Sequence, residues 1–181
     1  MKKLALLIAA LSLVSALSPA SAGSGLKRLG TDPAGDGPPA LDVTFLDVGA
    51  HGGTLEIRIG VDGMLPGLAG YPELPGIEWT FDSAGRTFLA EAAIVGGEPS
   101  FYLFELKGDA FTQLDTPEGT YDSADGFISI HVPYKDIGAR SGMKISGMGP
   151  KGTEDVDAHV HAGVTTYYPD YLATTKDFVL P

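Results

Sequence analysis

The side chains in this chain best equipped for chemistry are carboxylates and imidazoles, and they gather in two short segments. Asp32, Asp36 and Asp42 lie in the Gly/Pro-rich stretch TDPAGDGPPALD. Calcium takes about six to eight oxygen ligands, several of them carboxylates on flexible turns. Asp32 and Asp36, four residues apart on such a turn, can bring two carboxylates and nearby backbone carbonyls to one point. Asp42 extends the set, with Asp47 or an acid from near the C-terminus as a further ligand. The spacing is not that of an EF-hand loop. A plain solvated turn is the other reading, because aspartate bonds its own backbone there.

The second segment is Asp155-Val156-Asp157-Ala158-His159-Val160-His161. If it is extended, Asp155, Asp157, His159 and His161 line one face and the apolar residues line the other. Two histidines at i and i+2 on a strand can reach one zinc or copper ion, with a carboxylate completing the set. An ordinary solvent-facing strand has the same pattern.

Two further groups have side chains suited to chemistry or binding. Glu78 and Glu91 form a carboxylate pair of the kind that acts on glycosidic bonds at suitable separation. They also suit a surface pair neutralised by Arg58 or another base. Tyr167, Tyr168 and Tyr171 cluster in TTYYPDY. They can stack on sugar rings, or plug a sandwich end with their hydroxyls outward. No nucleophile elbow, Ser-His-Asp order or phosphate loop stands out, so no catalytic residue is assigned.

The elements that must position these groups read as strands. Thr54–Val61 alternates with Leu55, Ile57, Ile59 and Val61 on one face, the mark of a half-buried strand. Gly126–Val132 repeats the pattern, and Leu41–Val48 is a third strand. Ser100–Leu106, Met143–Met148 and Lys176–Leu180 are further candidates. Tyr134–Ala139 is the one place suited to a single helical turn. Ile77–Ser83 and Arg86–Ile94 form a hairpin whose register follows from burial. Placing Ile77, Trp79, Phe81 and Phe88, Ala90, Ala92, Ile94 on the core side sets Ser83 opposite Arg86, Phe81 opposite Phe88 and Trp79 opposite Ala90. A one-residue slip buries Glu91. The same register sets Glu78 opposite Glu91, where like charges repel.

The expected fold is therefore all-β: a two-sheet antiparallel β-sandwich, jelly-roll or Ig-like, with about eight to ten strands. A closed barrel is the alternative. Residues 1–22 read as a secretory signal peptide: Lys2 and Lys3, an apolar run from Leu4 to Leu17, then Pro19 and Ala20-Ser21-Ala22. Residues 23–40 read as a flexible, turn-rich start, and 41–181 as one domain. The expected location is outside the cytoplasm, extracellular or periplasmic.

Charge narrows the partners. Removing residues 1–22 takes away Lys2 and Lys3 and no acid, so the formal charge of −11 becomes −13. Such a surface repels phosphate backbones and anionic lipid, and it suits cations. The chain has no cysteine, so core packing, or packing plus a metal, must hold it together outside the cell. The absence of asparagine leaves no N-glycosylation sequon. The Gly, Ala, Pro and Asp bias suggests a bacterial chain.

Thr31-Asp32-Pro33-Ala34-Gly35-Asp36, then Leu41-Asp42-Val43, then the alternating Leu55–Val61 strand, resembles the opening of secreted bacterial β-sandwich modules of the broad DOMON and family-9 carbohydrate-binding-like grouping. Phe127–Pro133, Ile137-Gly138 and Met143–Met148 fit the same layout, so the likeness covers roughly residues 31–149. The resemblance implies a jelly-roll-like sandwich, often with a structural calcium near the N-terminal acids. It implies ligand binding or attachment more often than catalysis. The departures are an inward-facing Trp79, where sugar-binding members expose tryptophans, and no Met/His pair of the haem-binding kind.

Three functions follow as expectations. The first is a non-catalytic binding or attachment module for carbohydrate or another cell-surface component, with a structural calcium. The second is a metal-dependent extracellular enzyme or metal carrier using Asp155–His161. The third is a structural secreted protein with no small ligand.

Overall fold

The computed structural model describes residues 25–38, 40–64, 75–147, 154–162, 165–174 and 176–181. Side chains at 75, 154, 155, 159–162 and 165–169 are outside the description, as is the segment read as a signal peptide.

Thirteen strands are present among the described residues and no helix. One antiparallel sheet has the order β1 (Lys27–Thr31), β2 (Asp42–His51), β3 (Thr54–Asp62), β9 (Phe127–Pro133), β8 (Glu118–Asp122). The other runs β12 (Thr165–Ala173), β11 (Glu154–Ala162), β4 (Pro75–Ser83), β5 (Arg86–Val95), β6 (Glu98–Lys107), β7 (Ala110–Asp115). Strand β10 (Lys144–Gly147) takes the part of β4 that β11 leaves open, pairing Ser146 with Asp82 and Gly147 with Phe81. Strand β13 (Phe178–Val179) pairs with β10. The two-sheet sandwich is the expected fold, with more strands than expected.

The core lies between the sheets and follows from period-two alternation. Leu55, Ile57 and Ile59 on β3 and Ile130 and Val132 on β9 are fully buried. Facing them, Trp79, Phe81 and Phe88 are fully buried too. Trp79 stacks on Phe81 with ring centroids 4.6 Å apart. The β4–β5 register is the one that core burial demands: Ser83 opposite Arg86, Phe81 opposite Phe88, Trp79 opposite Ala90 and Glu78 opposite Glu91.

Three expectations change. Within the stretch read as flexible, Lys27–Thr31 forms β1 and pairs with β2. The Tyr134–Ala139 segment is a turn, closed by Ala139 N–H donating to the Tyr134 carbonyl at 2.9 Å, and it forms no helix. Arg58 sits on the other sheet from Glu78 and Glu91. It pairs with Glu56 at 2.9 Å and lies over the Phe127 ring.

Candidate metal centre

Two segments far apart in sequence meet at the start of β2. The first is the 32–38 turn between β1 and β2. The second is Asp170 on β12, whose carboxylate accepts the N–H of Val43 from 127 residues away. Glycines allow this approach. A Cβ on Gly30 would lie 2.5 Å from Leu172 Cδ2 and 2.7 Å from the Ala173 carbonyl oxygen, so only glycine lets β12 come this close to β1. A Cβ on Gly37 would lie 2.9 Å from Asp42 Cα and 3.0 Å from Asp170 Cγ. Gly35, at φ +97°, donates its N–H to Asp42 Oδ2.

This folding brings carboxylate oxygens of Asp32, Asp36 and Asp170 within 4.8 Å of one another. Asp170 is buried, Asp32 half-buried and Asp36 exposed. Asp42, 2% exposed, stands beside them. Its Oδ1 is buried with no hydrogen-bond partner among the described residues. An unsatisfied buried polar atom costs about 1–3 kcal/mol, and more when charged. The electrostatics match that crowding. Burial, then the charges of Asp36, Asp170 and Asp42, raise the Asp32 carboxyl above its ordinary 3.8. Asp170 is also raised, first by burial and further by Asp42 and Asp36, although the amides of Val43 and Tyr171 pull the other way.

Carboxylates held together against their own repulsion, with an orphaned carboxylate oxygen behind them, offer a donor set of the kind a hard cation takes. All are oxygen donors, as calcium prefers, and two of them, Asp32 and Asp36, lie on a turn. Among the described residues no imidazole enters this set, and the chain has no cysteine, so the softer metals are less well matched. Asp32 and Asp36 therefore come together as the sequence suggested, and Asp42 lies against them. Asp47 does not join them, because both its oxygens engage Arg28. Asp170 is the acid from near the C-terminus. Only tertiary contact singles it out.

The second segment is extended, as its metal reading required, and forms β11. Asp157 lies opposite both Glu78 and Tyr171. The pairing with β12 shifts register between Glu154 and Val156 and again between Ala158 and Val160. Asp155 sits at the first shift, and the pairing with β4 runs without a shift from Val156 to Val160. The side chains of Asp155, His159 and His161, and those of Tyr167 and Tyr168, lie outside the described set. Tyr171 is 38% exposed. Glu78 and Glu91 are half-buried on the outer face, and both have interaction partners.

The sequence reading did not anticipate a polar recess of about 490 Å³ bounded by His51, Glu56, Asp115, Glu118 and His131. His131 lies between Glu118 and Glu56 in register. Its Nε2 is 3.2 Å from Ser129 Oγ. These groups do not converge as a ligand set: among the described residues, the close group is Asp32, Asp36 and Asp170.

Comparison of the chain with family models, with curated proteins and with solved structures gives no match.

Proposed function

We propose that this chain is a secreted, non-catalytic binding or attachment module whose sandwich is tied together by a structural calcium ion, with carbohydrate as its ligand class. The observation that carries this reading is the convergence of Asp32, Asp36 and Asp170 beside the orphaned Asp42 oxygen. Asp32 and Asp36 come from the turn before β2 and Asp170 from β12, so an ion here bridges the two sheets. That is a load-sharing role, and a chain without cysteine has no disulfide to fill it. The resemblance to DOMON and family-9 carbohydrate-binding-like modules supports the same pairing of calcium with ligand binding. The exposed Tyr171, one residue from Asp170 and facing the opposite way along β12, supplies an aromatic contact beside the ion-bound strand.

Two experiments test the reading in order. Calorimetry of the EDTA-stripped protein with calcium chloride should give one site per chain, and Asp170→Asn should abolish it. Absence of heat in the wild type removes the calcium. A glycan array probed with the calcium-loaded protein should then give signal that Tyr171→Ala reduces. Silence across the array leaves a structural protein without a sugar ligand.

A further inference from the structure

We propose that strand β7 is a docking edge for an extended peptide with basic residues at its two ends. This inference is independent of the metal centre.

An open sheet presents unpaired N–H and C=O groups along its edge strands, and proteins usually guard them with charge, proline or bulges. Among the described residues the other edges are guarded, β13 by being only two residues long. β1 carries Lys27 and Arg28 and a register shift between Arg28 and Gly30. β12 contains Pro169 and Asp170. β8 is only five residues long, and two of the five, Glu118 and Asp122, are charged. β7 differs: its sequence AFTQLD is uncharged until the last residue. Every residue from Ala110 to Leu114 is exposed. The irregularity in its pairing with β6 falls only after Gln113, so Ala110–Gln113 is a regular, open edge.

The side chains add an apolar strip. Phe111 is 61% exposed and meets Phe104 edge-on, with centroids 6.4 Å apart. Phe104 in turn lies 6.0 Å from Tyr102. A strand added beside β7 would gain main-chain hydrogen bonds and lay alternate side chains along this strip, which is recognition by β-strand addition.

Charge identifies the occupant. Asp109, in the turn before β7, and Asp115, at its end, bracket the neutral stretch. They are about 20 Å apart along an extended chain. The molecule as a whole carries −11. A second copy brings the same aspartates and the same net charge, so self-pairing is opposed. A peptide with Lys or Arg some six residues apart meets both ends favourably.

The test uses the whole protein and a fluorescent peptide, Lys-Val-Thr-Val-Thr-Val-Lys. Two controls carry Glu at both ends, or alternate N-methylated amides. Anisotropy should show saturable binding of the lysine peptide. Binding should be at least about tenfold weaker for the glutamate peptide and lost with N-methylation. Hydrogen exchange at Ala110–Gln113 should slow when the lysine peptide is added. Phe111→Ser, an exposed change that should leave melting as in wild type, should weaken binding about tenfold. The proposal is overturned by no binding, by equal binding of both charged peptides, or by binding that protects other amides and ignores Phe111→Ser. It is also overturned by a concentration-dependent dimer in sedimentation that Phe111→Ser disperses, which would make a second copy the occupant.

Discussion

At the residue scale, Gly37 shows how the absence of a side chain makes room for the acidic site. It sits where any side chain would press on both Asp42 and Asp170. Gly37→Ala should therefore displace Asp170 and weaken calcium binding by at least about tenfold, a change calorimetry reads directly. Asp42→Asn keeps the shape and removes the buried charge. It should stabilise the EDTA-treated protein and weaken calcium binding, two opposite shifts visible in paired melts.

The raised carboxyls of Asp32 and Asp170 give a pH dependence of definite sign. A carboxyl raised in the folded state binds its proton more tightly there than in the unfolded chain. Its contribution is therefore full below the ordinary value of 3.8 and is lost as pH rises through the raised values. Calcium needs the ionised form, so its stabilisation runs the other way. The difference in melting temperature between calcium and EDTA should widen steadily from about pH 4 to about pH 7. A constant difference would place the ion away from these two side chains.

At the element scale, legibility follows burial. β3 and β9 bury one face and expose the other, so their residues alternate in type and the strands could be read directly. The β4–β5 register could be read because a slip would bury Glu91. β7 could not be read, because a strand exposed on both faces has no alternation to show. β12 was hidden by Pro169 and by a register shift that breaks its pattern. β1 was hidden by its shortness and its Gly-rich surroundings. Asp170 could not be picked out as a member of the acidic group for the same reason: it meets the 32–42 segment only because the fold joins strands distant in sequence.

The hairpin turn carries a local flaw that can be tested. Ala84 has φ 54° and Gly85 φ 73°, the paired positive angles of a two-residue type I′ turn. Alanine is a poor choice at the first of these. Ala84→Gly should stabilise the protein by about 1 kcal/mol in denaturant unfolding, with an unchanged m-value. Trp79 tests the same hairpin from the core side. Fully buried and stacked on Phe81, it should cost about 3–5 kcal/mol when replaced by Ala.

At the scale of the whole molecule, net charge and the candidate metal centre bear on the same quantity. A chain at −11 repels itself, so any salt should stabilise it somewhat by screening. A calcium effect is specific only if it exceeds that of sodium chloride at matched ionic strength. At a hundredfold excess over Kd, a site present only in the folded state adds about 2.7 kcal/mol. For a chain of this length that is a rise of about 5–10 °C in melting temperature. Magnesium is smaller and gives up its water reluctantly, so it should fall well short of calcium at equal concentration. Asp170→Asn should erase the calcium increment and keep the sodium response, because it removes the carboxylate by which β12 joins the acidic group of the 32–42 segment and changes the net charge by only one. If the variant and the wild type respond alike to calcium, screening accounts for the effect and the two sheets are held together by their core alone.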